Sequence, residues 1–84
     1  MSNVDLLAYR CTNLLWMLIL LYEKAEISDN EFKNHTSLKA MFLRDHMDSI
    51  EDPTIKKNSI VILDYYKTLV ETDSPVTLAY NTQV

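Results

Sequence analysis

Three long segments of this chain carry apolar residues at helical spacing, and two strong helix-ending signals separate them. The segments cover about residues 4–25, 29–50 and 54–72. Each amphipathic segment needs other elements to cover its apolar side, and three helices joined by short turns can cover one another. The sequence therefore predicts an all-α protein built as an antiparallel three-helix bundle, a helical hairpin followed by a third helix.

The boundary between the first two helices is the sharpest local signal in the chain. Ser28 and Glu31 have the spacing of a capping box, in which the Ser28 side chain accepts from the Glu31 N–H and the Glu31 side chain reaches back to the Ser28 N–H. Ile27 and Phe32 stand at the two positions of a hydrophobic staple. We expect helix two to begin here, only a few residues after helix one ends.

The second boundary is the pair Asp52-Pro53, because the residue before proline is pushed out of the helical region and proline suits the first position of a new helix. Pro75 marks the end of the third helix in the same way. With 84 residues there is room for one small domain. We expect a single helical domain at 1–75 and an extended or flexible C-terminal tail at 76–84.

The spacing also predicts which side of each helix faces the core. The stripe of helix one is Leu7, Cys11, Leu14, Leu18, Leu21 and Ala25. The stripe of helix two is Phe32, Thr36, Leu43, Met47 and Ile50, and that of helix three is Ile55, Ser59, Ile62, Tyr66 and Leu69. The run 60–63 has β propensity, but its flanks continue the helical period and a lone strand would have no partner.

The back of helix one, opposite that stripe, is the most informative surface. Tyr9, Trp16 and Leu20 lie there, with Ile19 to one side. A three-helix bundle does not need this side, and Trp and Tyr are enriched where proteins bind one another. We therefore predict a partner-binding surface at these four residues and a homo-oligomer formed through helix one.

Composition excludes several classes of function. Eight basic and twelve acidic residues give a net charge of -4, whereas nucleic-acid binding needs a basic face. The chain has no glycine, which excludes Gly-rich phosphate-binding loops and dinucleotide turns. No catalytic constellation is visible. We expect a protein that is not an enzyme and that has no cofactor and no nucleic-acid partner.

The cysteine and the two histidines do not predict a metal site. His35 and His46 are eleven residues apart on helix two, which separates them by roughly 16 Å. Cys11 lies on the predicted core stripe, where a small buried thiol is the simplest interpretation. One cysteine cannot form a disulfide within the chain and suits a reducing compartment, so we expect a cytoplasmic protein.

A membrane span is not expected. The unbroken apolar run 14–22 has nine residues, whereas a span needs about 20. Polar residues precede it, and Glu23 and Lys24 follow it. The run is interpreted as a helix that is buried on more than one side.

These expectations favour a small intracellular protein-interaction module, of the regulatory, adaptor or inhibitor type, that binds a larger protein. The chain is rich in Asn, Lys, Ile and Tyr and has no glycine, a composition that an AT-rich coding sequence would favour. This composition suggests a phage or mobile-element origin. The alternative is an oligomeric helical protein that binds or sequesters a small ligand at a subunit junction, using tyrosines and the two histidines.

Overall fold

A computed structural model of the protein describes residues 2–72. Three helices follow one another, α1 (Asn3–Glu23), α2 (Asp29–His46) and α3 (Pro53–Thr72), with a short 3₁₀ helix (Met47–Ser49) after α2. The described residues contain no strand, and the three helices pack against one another. The predicted all-α three-helix bundle is confirmed. The predicted tail at 76–84 lies outside the described residues.

Each helix begins at a side-chain cap, and that of α2 is the capping box that its sequence predicts. Ser2 accepts a hydrogen bond from the Asp5 N–H at 3.1 Å. The capping box of α2 is complete, with the Glu31 N–H on Ser28 Oγ at 3.1 Å and the Ser28 N–H on Glu31 Oε1 at 2.9 Å. At the start of α3, Asp52 Oδ1 accepts from the next two free N–H groups, those of residues 54 and 55. These side chains satisfy backbone groups that a helix leaves unpaired at its first turn.

Helix α1 ends two residues earlier than expected. The Ala25 N–H bonds to the Tyr22 carbonyl and the Glu26 N–H to the Leu21 carbonyl, which is the hydrogen-bond pattern of a Schellman motif. This motif requires a left-handed residue, and Ala25 supplies it with φ of 60°. Ala25 is therefore exposed in the turn, and its predicted place in the core stripe is wrong.

The hydrophobic core lies where one side of each helix meets the other two. Its buried members are Ala8, Leu15, Ile19, Phe32, Leu43, Ile50, Ile55 and Ile62. The predicted stripes of α2 and α3 are confirmed. Their members are buried or partly buried against the core, with Phe32 and Ile62 among the fully buried ones. Residues 60–63 are helical, since the helical period of the flanks prevails over local β propensity.

The predicted core stripe of α1 is wrong at Leu7, Leu14 and Ala25, whereas Cys11 and Leu18 are partly buried against the core. The buried residues of this helix are Asp5, Ala8, Thr12, Leu15 and Ile19, whereas Leu7 and Leu14 are 50% and 41% exposed. At 100° per residue the buried side is rotated by roughly 120° from the predicted one. The middle of α1 is apolar all round, so its leucines do not distinguish one side from another.

Polar contacts explain the observed rotation of α1. The Asp5 carboxylate is buried and accepts the N–H groups of Glu51 at 2.8 Å and Asp52 at 3.0 Å. About two turns further along the same side, Thr12 is also buried, and its hydroxyl donates a hydrogen bond to the Tyr9 carbonyl. The side of α1 that carries Asp5 must face the start of α3, because a buried Asp5 carboxylate without these N–H groups would have no hydrogen-bond partner.

Candidate protein-binding surface

The side of α1 that faces away from the core exposes large apolar side chains over most of its length. Each is 39–51% exposed. They are Leu6, Leu7, Tyr9, Leu14, Trp16, Met17 and Leu20, and we call these seven residues the outer face of α1. The α2 and α3 helices cover the opposite side of α1, so within residues 2–72 nothing buries this surface.

Three of the four residues predicted for partner binding lie on this surface. Tyr9 and Leu20 are about half exposed, and Trp16 is 39% exposed. The fourth prediction is wrong in its placement, because Ile19 is completely buried in the core. Ile19 shares the buried side with Leu15, four residues before it, and cannot contact a partner without unfolding of the bundle.

Sequence reasoning missed four members of the outer face. They are Leu6, Leu7, Leu14 and Met17. Leu7 and Leu14 were assigned to the core because they recur at helical spacing with Cys11 and Leu18. The signal that could have found them is the pair Asp5 and Thr12. Both can form specific hydrogen bonds, so the side of α1 that carries them can be the buried side even though it has fewer leucines.

The outer face is almost free of charge. Arg10 is the only charged residue between Leu6 and Leu20. The polar residue nearest the middle of the face is the exposed, neutral Asn13. In a chain with a net charge of -4, this surface carries no carboxylate.

One edge of the outer face contacts α3. The Trp16 and Tyr65 rings lie 6.0 Å apart between centroids. The Tyr65 hydroxyl donates to the Glu23 carboxylate, and this hydrogen bond raises the pKa of Tyr65. Tyr65 thus contacts α1 at both Trp16 and Glu23, and the exposed side chains of Tyr65 and Val61 extend the apolar surface onto α3.

The remaining titratable candidates do not form a reactive site. Burial raises the pKa of the half-buried Cys11 thiol, and the charge of Lys39 offsets only part of this effect, so the thiol is not activated as a nucleophile. His35 and His46 are exposed, and the His46 ring stacks on Phe42 at 4.4 Å. Among the residues that the structure describes, no group of three His, Cys, Asp or Glu side chains could hold a metal ion.

A groove of about 340 Å³ runs between α2 and α3. Its lining contains no α1 residue and consists of Ser37, Ala40, Met41, Arg44, Leu63, Tyr66 and Lys67. The Tyr66 hydroxyl is hydrogen-bonded to Thr36 Oγ1 at 2.9 Å. Neither histidine takes part in this groove.

By length and composition, α1 could cross a membrane, and it is the single such helix in the described part of the chain. A core helix of a bundle passes the same test, so the expectation that the chain has no span stays a prediction. In this fold one side of α1 buries Asp5 and Thr12 against the other helices.

Comparison of the chain with protein-family models, curated proteins and solved structures finds no match. The outer face of α1 is accordingly the feature that carries the functional proposal.

Proposed function

We propose that this chain is a small protein-interaction module, of the regulatory, adaptor or inhibitor type, that acts in the cytoplasm by binding another protein through the outer face of α1. The observation that carries this proposal is the exposure of seven large apolar side chains on one helix with a single charge among them. It requires no cofactor and no catalytic residue.

The size of the exposed surface supports this function. A large side chain offers about 150–250 Å² when fully exposed, so seven side chains at 39–51% leave on the order of 600 Å² in contact with water. Monomeric proteins seldom expose contiguous apolar patches larger than a few hundred Å², and larger ones mark interaction sites. The outer face of α1 lies at the upper end of this range.

The chemistry of the surface fits protein binding. Trp and Tyr are the residues that most often dominate binding energy, and Trp16 and Tyr9 are both present. Contact with Tyr65 restrains Trp16 before any partner arrives. A restrained side chain loses less conformational entropy on binding, which favours affinity.

Affinity capture with matched variants tests the proposal. The wild-type chain, Leu20→Glu and Leu38→Glu are used as bait in extract from the native host. Leu38 is 76% exposed on α2, outside the outer face, and serves as the control for adding a charge to an exposed leucine. We expect proteins that bind wild type and Leu38→Glu but not Leu20→Glu. The same set bound by all three would contradict the proposal.

The second candidate function is an oligomeric helical protein that binds a small ligand. The observation that favours it is the groove between α2 and α3, whose volume falls in the range of small-molecule sites. Arg44 and Lys67 stand on its two walls and would suit an anionic ligand. Mass spectrometry of the native protein would show a ligand that is lost in Met41→Glu, which changes an exposed residue of the groove lining, and ligand-free protein would contradict this function.

A further inference from the structure

The outer face of α1 has the periodicity of a helix that pairs with another helix. Leu6, Asn13 and Leu20 recur every seven residues. Leu7 and Leu14 repeat at the same interval one residue later in the chain, about 100° further round the helix. A seven-residue apolar repeat keeps one stripe of a helix in continuous contact with a neighbouring helix. Within residues 2–72 this stripe has no such neighbour.

We infer that the protein bound by this surface is a second copy of the chain, whose α1 packs antiparallel to the first across a two-fold axis near Asn13. The inference rests on the proposed function and names its partner. Two-fold interfaces bring the same surface of both copies together, so a self-complementary face is required.

The position of the polar residues supports an antiparallel arrangement. Residue 13 is the midpoint of the face from Leu6 to Leu20, so an axis there brings Leu6 of one copy beside Leu20 of the other. Asn13 then faces Asn13 of the second copy, and an amide both donates and accepts hydrogen bonds. A single polar residue of this kind in an apolar seam specifies register.

The one charge in the face decides between the two directions. In a parallel pair the two Arg10 side chains would lie side by side, and like charges in contact are unfavourable. In the antiparallel pair Arg10 lies on opposite sides of the axis in the two copies. Each then lies close to Trp16 or Met17 of the other copy, where a guanidinium can stack on the indole ring.

The area agrees with a stable dimer. The seven outer-face side chains contribute on the order of 600 Å² per copy. Arg10, Asn13 and the edge residues Val61 and Tyr65 of α3 bring the total close to the roughly 800 Å² per partner of stable interfaces. A membrane surface is a poorer match, since helices that lie on membranes carry basic residues along their polar border and the chain as a whole is acidic.

Sedimentation equilibrium with matched variants tests the dimer. We expect wild type and Leu38→Glu to show twice the chain mass of 9.8 kDa at micromolar concentration. Leu20→Glu and Asn13→Glu bring two carboxylates into the seam and should weaken association by about 100-fold or more. Both variants should keep the helical circular-dichroism spectrum of wild type, because neither residue is buried within one copy.

Disulfide cross-linking tests the direction. On a Cys11→Ala background, Leu6→Cys chains mixed with Leu20→Cys chains should cross-link rapidly on oxidation. Leu6→Cys alone should not, because its two thiols would lie roughly 21 Å apart along the helices. Ser37→Cys on α2 is the control for random collision. Rapid cross-linking of Leu6→Cys with itself would overturn the antiparallel arrangement.

The dimer and the proposed function can fail separately. Monomeric wild type with capture that still depends on Leu20 would overturn the dimer and leave the proposed function standing. Monomeric wild type with capture that is indifferent to Leu20 would overturn both. A third outcome is that wild type is monomeric in solution and sediments with vesicles of zwitterionic and anionic lipid, whereas Leu20→Glu does not sediment. This result would overturn both the dimer and the proposed function and would assign the outer face to a membrane surface.

Discussion

The turn between α1 and α2 and the apolar middle of α1 are neighbours in the chain, but different forces specify them. In the turn, Ser28 and Glu31 hold each other's backbone N–H groups over a separation of three residues. In the middle of α1, nine consecutive apolar residues provide no local reason to face one way. Local hydrogen bonds therefore place the ends of the helices, whereas contacts with distant residues choose the side that α1 buries.

The largest expected effect on stability is the difference between substitutions at two adjacent residues of α1. Ile19→Ala removes a completely buried side chain and should lower the free energy of unfolding by about 2–5 kcal/mol. Leu20→Ala removes one that is half exposed and should cost less than about 1 kcal/mol in the monomer. Urea denaturation at a concentration below self-association measures both. Equal costs would mean that α1 is rotated differently from the structure.

The next effect concerns the contact that orients α1. Asp5→Ala removes the acceptor of the part-buried N–H groups of Glu51 and Asp52 and should cost about 1–3 kcal/mol. Asp48→Ala, which removes an exposed carboxylate, is the control and should change stability by less than about 0.5 kcal/mol. Thermal unfolding followed by circular dichroism compares them, and a small loss for Asp5→Ala would show that this pair does not orient the helix.

A smaller effect tests the turn itself. Ser28→Ala removes the acceptor of the Glu31 N–H and should cost about 0.5–2 kcal/mol. Ser37→Ala, at an exposed position inside α2, should be neutral or slightly stabilising, since alanine is the better helix former. If the two variants melt at the same temperature, Ser28 is not the cap.

The other end of the same turn predicts a gain in stability. Ala25 has a left-handed conformation that glycine adopts without steric cost, so Ala25→Gly should raise the free energy of unfolding by about 1 kcal/mol. Lys33→Gly, in the exposed interior of α2, should lower it by about as much. Urea denaturation of the two variants should therefore shift the midpoint in opposite directions, and a shift in the same direction would exclude the left-handed turn.

The smallest effect is a dependence on pH. Hydrogen bonds from Ser28 lower the pKa of Glu31 below its ordinary value of 4.5. Because the folded pKa is the lower one, this carboxylate stabilises the fold above the unfolded pKa and loses that effect as the pH falls through the folded pKa. The stability difference between wild type and Glu31→Gln should shrink from pH 7 to pH 3. A difference that is constant over this range would contradict the shift.

Much of the fold could be predicted because its signals are local. The caps at Ser2, Ser28 and Asp52 each act over two or three residues, and all three are formed. The stripes of α2 and α3 could be predicted because polar residues surround them and leave one apolar side, as at Phe32 and Ile62. Such features need no knowledge of what packs against the helix.

The candidate site was only partly predictable. Tyr9, Trp16 and Leu20 were placed on an exposed side because Trp and Tyr stood opposite a leucine stripe, and the structure exposes them. Leu7 and Leu14 were placed in the core and are exposed, whereas Ile19 was placed outside and is buried. The error is a rotation of one helix about its axis. It placed exposed residues in the core and a core residue on the surface.

The sequence by itself determined that the chain forms three helices, where each begins, and that α1 has more apolar surface than one bundle can cover. These properties follow from capping groups, prolines and composition, which act within a few residues along the chain. Only the tertiary structure decided which apolar surface stays outside. The reason is that the Asp5 carboxylate finds its N–H partners 46 and 47 residues away, and burying that pair orients α1 where its leucines are equivalent.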